Sequence, residues 1–310
     1  MNRFMKNKKR KYRANEISAG WNTVLTLCFT ALAIFSITPL VLIICISFSS
    51  AESLAQNGYK FIPSEWSMKA YESVAQMGSS FGQSYKMTIF YAFFGTALSL
   101  FVMSLLAYVL ARKDFKYRRV LSFYVFFTTL FSGGLVPSYI LNARYLHLND
   151  TIWIFILPSL VSAFDVIILR TFVQTSIPES LFDAAKIDGA NEFQVYWLIV
   201  LPLFKAGLAT IGLFNVVSRW NNWFTGMLYI ENPKLVPVMT LLQRIQKNID
   251  YIKANTDMAE SPEVLEMLQN IPSESARMAI AIIAMLPLLV IYPFFQKYFV
   301  KGLTVGSVKG

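Results

Sequence analysis

Six long apolar runs divide this sequence, and they constrain its fold more than any other feature. A helix needs about 20 mostly apolar residues to cross the hydrocarbon core of a bilayer, and each run is long enough. Hydrophobic residues make up 55% of the chain and charged residues only 15%, which excludes an ordinary water-soluble domain. We therefore predict an all-α polytopic membrane protein with six transmembrane helices. The predicted crossings lie at about 23–48, 88–111, 120–141, 152–173, 206–230 and 278–300.

The distribution of Lys and Arg predicts how these helices are oriented. Basic residues concentrate before the first run, between 112 and 119, and after the last run. Because positively charged loops stay in the cytosol, we expect a multi-pass plasma-membrane protein with both termini cytosolic. The net charge of +10 then reflects topology and contact of the tail with anionic membrane lipid, and we expect no nucleic-acid partner. The expected divisions are a basic cytosolic tail (1–22), a six-helix domain (23–300) with a cytosolic loop (174–205) and an outer loop (231–275), and a cytosolic C-terminal tail (301–310).

Two predicted crossings carry a charged residue at membrane depth. Arg219 costs about 3 kcal/mol in lipid, so the fifth crossing is expected to face a protein interior or a wet cavity. Asp165 lies at a similar depth in the fourth crossing. We hypothesise that the two face each other, either to lock two helices together or as part of a substrate path. Small and polar residues at spacings of three and four share one helix face with Arg219, namely Gly212, Asn215, Asn222 and Gly226.

Two further segments carry signals for interrupted or surface helices. The run 132–134 (Ser-Gly-Gly) followed by Pro137 breaks helix geometry, which is tolerated only where protein or water satisfies the freed backbone groups. The third crossing is therefore expected to be interior. The outer loop is expected to hold an amphipathic helix at about 239–252 and another after Ser261 and Pro262.

The segment between the fourth and fifth crossings is predicted to form a helical elbow on the cytosolic side. Ser176 and Glu179 have the spacing of a capping box for a first short helix, and Gly189 permits a sharp turn. Asn191 with Gln194 can begin a second helix, which we expect to lie against the membrane surface. An acidic helix with small residues at that surface is suited to docking in the groove of a partner.

The spacing of this elbow resembles the EAA loop of ABC importer permeases. That loop has an acidic residue, two alanines and a glycine, followed by an isoleucine and a Leu-Pro pair at fixed intervals. The one departure is the acidic residue itself, an aspartate here where the family usually has glutamate. The matching positions are Asp183, Ala184, Ala185, Gly189, Ile199, Leu201 and Pro202.

The likeness extends along nearly the whole chain and is closest to carbohydrate-importer permeases of the maltose-transporter type. It is carried by residues 61–71, 133–137 and 301–310, which resemble the branch associated with oligosaccharides and polysaccharide fragments. The resemblance implies a type I ABC importer permease fold that forms half of a translocation pathway for a carbohydrate. The implied partners are a homologous second permease, two ATPase subunits and an extracellular substrate-binding protein.

The resemblance also implies that the elbow couples the permease to ATP hydrolysis. No Gly-x-x-x-x-Gly-Lys-Ser/Thr phosphate loop occurs in the sequence, so we expect this chain to be no enzyme and to hold no cofactor. ATP and Mg are expected in the partner ATPase. The predicted coupling residues are Glu179, Asp183, Ala184, Ala185, Asp188, Gly189, Ile199, Leu201 and Pro202.

A sugar offers apolar faces and a rim of hydroxyls, so a site for it needs aromatic rings beside hydrogen-bonding side chains. Residues 220–224, Trp-Asn-Asn-Trp-Phe, supply both. The alternative is that these tryptophans pack against neighbours or belong to an interfacial aromatic belt. The candidate substrate-pathway residues are Asp165, Asn215, Arg219, Trp220, Asn222 and Trp223.

Three other functions remain as alternatives. An intramembrane enzyme needs a nucleophile and base or a metal cluster, yet the single histidine, His147, lies in an outer loop without a metal-binding motif. A secondary transporter typically has inverted repeats and several mid-membrane acids, whereas Asp165 is the one found. An ABC permease for another solute, such as a peptide, shares the EAA loop and is separated only by the resemblance outside it.

Overall fold

The computed structural model describes residues 18–254 and 273–307, and within these ranges the chain is helical with no β-strand. Two π-helical turns, at Leu141–Tyr145 and Val195–Val200, and a 3₁₀ turn at Ile152–Phe155 lie between α-helices. The helices are α1 (Ala19–Ser47), α2 (Ala51–Asn57), α3 (Lys69–Gln76), α4 (Gly78–Ala111), α5 (Arg118–Leu130), α6 (Leu135–Ile140), α7 (Ala163–Ser176), α8 (Glu179–Ile187), α9 (Glu192–Gln194), α10 (Leu201–Trp220), α11 (Phe224–Tyr229), α12 (Val238–Ala254) and α13 (Glu274–Ser307).

Four helical stretches in the described ranges are long and apolar enough to cross a membrane, which confirms the first, second and sixth predicted crossings. They are Gly20–Ser47, Ser80–Ala111, Glu192–Trp220 and Glu274–Pro293. The fifth predicted crossing is confirmed with other bounds, because its helix ends at Trp220, so Asn222 and Gly226 lie beyond it and do not share its face with Arg219. The amphipathic helix predicted at 239–252 is confirmed as α12, whereas the helix predicted after Ser261 lies outside the described residues.

The third predicted crossing is a bent pair of helices. Helices α5 and α6 meet at an angle of 115° across a short break, and only together do they reach the length of a span. Gly134 has φ +85° at the break, a left-handed conformation that a side chain would strain. Pro137 lies inside the first turn of α6, where a missing N–H costs little. The break predicted from residues 132–137 is therefore confirmed, whereas the predicted interior placement is not seen within this chain, since residues 131–138 are exposed.

The fourth predicted crossing, 152–173, is wrong as one continuous helix. The 3₁₀ turn ends at Phe155, and α7 begins only at Ala163, where the Ser162 side chain caps it by accepting from the Asp165 backbone N–H. Pro158 explains the break, because proline donates no hydrogen bond and disfavours helical geometry in the residue before it. The carbonyl groups between 155 and 159 are thereby freed from helical bonding and become available to other partners.

Helices α4, α7 and α10 form the centre of the bundle, and each packs against the other two. Their shared apolar core includes Met103, Val166, Leu169 and Phe204, all of which are at most 1% exposed. Gly207 lets α10 approach α7 closely, since an added Cβ would lie 3.1 Å from the Phe172 ring. The same core continues to one end of the bundle, where it receives α8 and α9. That end is called the α8 end below.

The opposite end of the bundle carries the short helices α2, α3, α11 and α12. Helix α3 packs on the start of α13 through the buried small and apolar residues Ala70, Val74, Ala276 and Ile280. In a second apolar cluster, the first half of α4 packs against the segment before α7 and against the end of α11. Tyr91 of α4 and Phe155 are fully buried there. The two ends thus have separate apolar cores joined by the long helices.

Candidate functional site

The elbow predicted from the sequence is present at the α8 end. Helix α7 ends at Ser176, α8 runs from Glu179 to Ile187, and Gly189 turns the chain with φ +74°. Asn191 then caps α9 in a reciprocal capping box with Gln194, as predicted. The capping box predicted between Ser176 and Glu179 is wrong, because α8 begins only at Glu179 and places Pro178 at the cap position, two residues after Ser176.

The second helix of the elbow is continuous with the fifth crossing and does not lie along a membrane surface as a separate element. One helical path runs from Glu192 to Trp220, through the π turn at Val195–Val200. This widened turn directly precedes Pro202, whose ring would clash with a regular α-helical carbonyl four residues earlier. Ile199 and Leu201 are half-buried beside the core, and Pro202 is exposed.

Helix α8 has one buried face and one exposed face. Ala185 is 5% exposed and packs with Phe182 against the central core. On the other side, Asp183, Ala184 and Ile187 are exposed, and the Ile187 side chain is 86% exposed. Ala185 therefore anchors α8 in the core, whereas Ala184 leaves a low surface beside the protruding Ile187. A protruding apolar side chain beside a low surface can enter a pocket of a partner protein.

Both ends of α8 are tied to the loop that joins α4 to α5. At its start, Lys113 forms an ion pair with Glu179, and at its end Lys186 Nζ lies 2.5 Å from Asp114 Oδ2. The hydrogen bond from Lys186, together with the charge of Arg112, lowers the pKa of the Asp114 carboxyl below its ordinary value, so it stays ionised at neutral pH. We call the residues Arg112, Lys113 and Asp114 the loop clamp.

Arg112 extends the clamp to α10. Its side chain is 8% exposed, and Nη2 lies 2.8 Å from Asp114 Oδ2 and 3.2 Å from Glu192 Oε1. The guanidinium also stacks over the Phe182 ring, 4.6 Å from its centroid, and Tyr108 donates a hydrogen bond to Glu192. One arginine thus connects α4, α8 and the start of the helical path to Trp220.

A cavity of about 830 Å³ lies under the elbow, between α8, the end of α7 and the loop clamp. Its walls combine apolar residues such as Val173 and Phe182 with the charged groups of the clamp. From the sequence alone, Arg112 and Lys113 were interpreted only as orientation signals. The run of two cations and one anion at residues 112–114 is the signal that could have indicated ion pairs with α8, which carries both acidic and basic residues.

The second predicted site surrounds Arg219, which is 4% exposed within the bundle. Its guanidinium donates four hydrogen bonds. Nη1 reaches the Phe155 carbonyl oxygen at 2.8 Å and Ser159 Oγ at 2.9 Å, and Nη2 reaches Ser99 Oγ at 2.6 Å and the Ser159 carbonyl oxygen at 2.8 Å. Tyr91 in turn donates to the Arg219 backbone carbonyl. The arginine therefore joins α4, α10 and the broken segment before α7.

The hypothesis that Asp165 and Arg219 form a pair is wrong. Asp165 Oδ2 accepts a hydrogen bond from Asn215 Nδ2 at 3.0 Å, and no described ion pair includes either charged residue. The carbonyl groups freed at Pro158 and the hydroxyl groups of Ser99 and Ser159 already bind both terminal nitrogens of the guanidinium, while its Nε has no hydrogen-bond partner. Asn215, one turn before Arg219 on α10, binds the carboxylate of Asp165 instead. Asp165 and Asn215 are both half-buried.

The remaining sugar-path candidates, at and just after the end of α10, lie in different environments. They are Trp220, Asn222 and Trp223. Trp220 is 1% exposed, donates from Nε1 to the Ala284 carbonyl oxygen at 2.9 Å and meets the Tyr85 ring edge-on. Its packing leaves no ring face for a sugar, so its assignment as a substrate-pathway residue is wrong. Trp223 remains 37% exposed, and the half-buried Asn222 accepts from the Thr225 backbone N–H through Oδ1.

The family model described as binding-protein-dependent transport system inner membrane component matches residues 103–305, a range that includes the elbow, the loop clamp and Arg219. The chain belongs to this family. Family membership makes the chain a multi-pass membrane subunit of a transport system and not an enzyme. A permease of such a system works with an ATPase and a substrate-binding protein.

Two curated relatives and one solved structure are similar to nearly the whole permease. It is 36% identical over 278 residues to the polygalacturonan/rhamnogalacturonan transport system permease protein YtcP of Bacillus subtilis (strain 168), covering 90% of this chain and 94% of that protein. It is 37% identical over 275 residues to protein LplC of the same organism, covering 89% and 90%. A chain in the crystal structure of a bacterial ABC transporter involved in the import of the acidic polysaccharide alginate matches with a TM-score of 0.77 and 30% identity, over 92% of this chain and 99% of that chain. The expected ABC importer permease fold is thereby confirmed.

The close approach of α4 to Arg219 predicts that Gly95 cannot be enlarged without cost. A Cβ at Gly95 would lie 2.9 Å from Arg219 Nη1, and the four hydrogen bonds leave the guanidinium little freedom to move away. We expect Gly95→Ala to lower the free energy of unfolding by about 1–3 kcal/mol, measured as a lower thermal midpoint in detergent.

The matched control is Gly82→Ala in the same helix, where nothing lies within 4 Å of the added Cβ. This variant is expected to be neutral or to gain up to about 1 kcal/mol from helix propensity. Equal midpoints for the two variants would show that α4 does not depend on the contact with Arg219.

Proposed function

We propose that the permease forms half of the translocation pathway of an ATP-driven importer for a carbohydrate, most specifically an oligosaccharide. The support comes from its relatives, since the name of YtcP specifies a polygalacturonan/rhamnogalacturonan transport system and the matching structure belongs to an importer of the polysaccharide alginate. An extracellular binding protein delivers the sugar. The other half of the pathway is a homologous second permease.

The observation that carries the coupling mechanism is the clamped α8 with its exposed outer face. In our proposal two ATPase subunits, which bind ATP and Mg, serve the importer, and one of them docks on the surface formed by Asp183, Ala184 and Ile187. Ala184 leaves a low surface for this contact, and the protruding Ile187 supplies an apolar anchor. The permease itself holds no cofactor.

The contacts of α8 explain how its displacement reaches the membrane. Asp114 and Arg112 link it to α4, and Arg112 with Glu192 links the same cluster to the helical path of α10. These two helices hold Arg219 between them at membrane depth. A push on α8 is therefore transmitted to two helices of the central core, and ion pairs at both ends of α8 prevent it from tilting independently.

This mechanism assigns an orientation to the chain. The α8 end faces the cytosol, where ATP is available, and both termini lie on the same side. The basic residues of the α4–α5 loop agree with this orientation, because loops rich in Lys and Arg remain cytosolic. The helices α2, α3 and α12 then face outward, toward the binding protein.

For the sugar path we propose the half-buried pair of Asp165 and Asn215, together with Asn222 and Trp223. The pair offers a carboxylate and an amide at membrane depth, where polar groups seek partners. Trp223 supplies an exposed aromatic face. Arg219 contributes indirectly, since both of its terminal nitrogens are bonded to α4 and to the segment before α7 and so fix α10.

The function is tested by purifying the tagged permease with its associated subunits and placing the assembly in liposomes. We expect an ATPase and a second permease to copurify, and ATP-driven uptake of an oligosaccharide when the cognate binding protein is added. The permease alone is expected to hydrolyse no ATP. A cognate binding protein that carries peptides and binds no sugar would contradict the proposed substrate class.

The loop clamp is tested with Asp114→Asn, which keeps the shape of the side chain and removes the charge shared by Lys186 and Arg112. Ion pairs of this exposure contribute about 0.2–1 kcal/mol each, so stability should change little. We expect the amount of sugar imported per ATP hydrolysed to fall roughly two- to tenfold, because α8 no longer moves with α4.

Lys116→Gln is the control, because this exposed charged residue of the same α4–α5 loop lies outside the loop clamp and forms no ion pair among the described residues. Asp114→Glu keeps the charge and should restore part of the coupling. An unchanged ratio of import to hydrolysis in Asp114→Asn would refute the clamp.

The sugar path is tested with Asn222→Leu, which removes a half-buried amide two residues after α10 ends. We expect the KM for uptake to rise several-fold, since one amide hydrogen bond contributes about 0.5–1.5 kcal/mol. Asn221→Leu is the neighbouring control, as Asn221 is exposed and its amide bonds the Val217 carbonyl of its own helix. Undiminished uptake by Asn222→Leu would remove this residue from the path.

A further inference from the structure

The last crossing, α13, has a proline, Pro287, within its membrane-spanning part. Proline has no backbone N–H, so the carbonyl group four residues earlier, that of Ile283, loses its helical donor. An unpaired carbonyl group is costly inside a bilayer and needs a donor from another segment. We call residues 283–287 the proline turn.

Two consecutive carbonyl groups of the proline turn receive side-chain donors from two other helices. The Tyr85 hydroxyl of α4 donates to the Ile283 carbonyl oxygen at 3.2 Å. Trp220 Nε1, at the last residue of α10, donates to the Ala284 carbonyl oxygen at 2.9 Å. The Tyr85 and Trp220 rings meet edge-on, with centroids 6.0 Å apart. The proline turn is therefore held from outside α13, by α4 and α10 together.

The proline turn separates two parts of α13 that have different surroundings. Before it, Ala276, Ala279 and Ile280 are fully buried in the cluster that α13 forms with α3. After it, Leu289 and Val290 are 58% and 62% exposed. The first part of α13 is thus packed into the end of the bundle opposite α8, and the proline turn is where the helix leaves that packing.

The position of Trp220 in α10 links the proline turn to the centre of the bundle. The preceding residue, Arg219, binds carbonyl groups that Pro158 frees before α7. Consecutive residues at the end of α10 therefore hold two segments in which a proline interrupts helical bonding. Because Trp220 is 1% exposed and bonded to α13, a shift of this end of α10 displaces the proline turn as well.

We propose that Trp220 is a positioning residue of the transport cycle, which passes the movement of α10 to the first part of α13. In the proposed coupling α8 drives α10, and Trp220 then carries that displacement to the proline turn. The first part of α13 moves with α3, because the two pack through a common buried cluster. Movement that begins at α8 thereby reaches the opposite end of the bundle. This role rests on the proposed coupling through α8, and it requires no contact between Trp220 and the sugar.

The test uses the complete importer in liposomes and the variant Trp220→Phe, which keeps an aromatic ring and removes the indole N–H. We expect ATP hydrolysis stimulated by the sugar-loaded binding protein to continue. The amount of sugar imported per ATP hydrolysed should fall about two- to tenfold, which corresponds to the loss of one buried hydrogen bond. A residue with a purely structural role would instead lower hydrolysis and import together.

The matched control is Trp153→Phe, which makes the same chemical change elsewhere in the chain. Trp153 is 45% exposed, and its side chain forms no hydrogen bond among the residues that the structure describes. Its ratio of import to hydrolysis should equal that of the original protein. Tyr85→Phe removes the other donor to the proline turn and gives a milder variant if Trp220→Phe folds poorly. Its ratio should fall by a smaller factor.

A second measurement determines whether Trp220 acts through the proline turn. Pro287→Ala returns an N–H to the Ile283 carbonyl group and so restores the regular helical bond. We expect Trp220→Phe to lower the thermal midpoint of the original protein and to lower it much less in the Pro287→Ala background, because the turn then depends less on outside donors. The midpoints are measured in detergent, so the comparison holds even if a variant stops transport.

Three results would overturn the role of Trp220. They are an unchanged ratio of import to hydrolysis in Trp220→Phe, an equal fall in Trp153→Phe, and midpoint shifts of equal size in the two backgrounds. Failure of the proposed function is seen separately, as absence of sugar uptake by the unmodified importer, and the comparison of midpoints then still tests Trp220.

Discussion

The fold depends on how one buried guanidinium at membrane depth is satisfied. Arg219 would cost about 3 kcal/mol or more if it faced lipid unpaired, and the bundle removes that cost without an opposing carboxylate. A proline break before α7 exposes the carbonyl groups of Phe155 and Ser159, and Ser99 adds a hydroxyl from α4. Gly95 lets α4 come close enough for these bonds to form. The arginine thus determines where α4, α10 and the broken segment meet.

The same helices that enclose Arg219 carry the elbow at their far ends. Helix α4 leads into the loop clamp, α7 leads into α8, and the path to α10 begins at Glu192 beside Arg112. The polar centre in the membrane and the clamped helix α8 are therefore connected by packed helices. This geometry supports the proposed coupling, because α8 packs directly on the core that α4, α7 and α10 share.

Features that depend on local chemistry could be predicted from the sequence. Four of the six long apolar runs became continuous helices, Gly189 turned the elbow, Asn191 with Gln194 formed a capping box, and residues 132–137 broke the third crossing. The spacing of the EAA-like segment led to the correct family. These predictions hold because each depends on residues a few positions apart, whose steric and hydrogen-bonding preferences the remainder of the fold does not override.

Two errors were local, the missed break at Pro158 and the capping box at Ser176, and the others concern contacts between distant segments. Pairing Asp165 with Arg219 assumed that a buried cation needs an anion, whereas carbonyl and hydroxyl groups sufficed. Trp220 was assigned to a sugar by its neighbours in sequence, but Tyr85 and α13 cover it. The loop clamp was missed because nothing in the sequence brings residues 112–114 beside α8 until the bundle is assembled.

Docking of an ATPase subunit on α8 is tested most directly by photo-crosslinking in intact cells. The photoreactive residue p-benzoylphenylalanine replaces Ile187 or, as a reference at the opposite end of the bundle, Tyr59. The account predicts an adduct between position 187 and an ATPase subunit and none from position 59, and it is contradicted if position 187 forms no such adduct or if position 59 does.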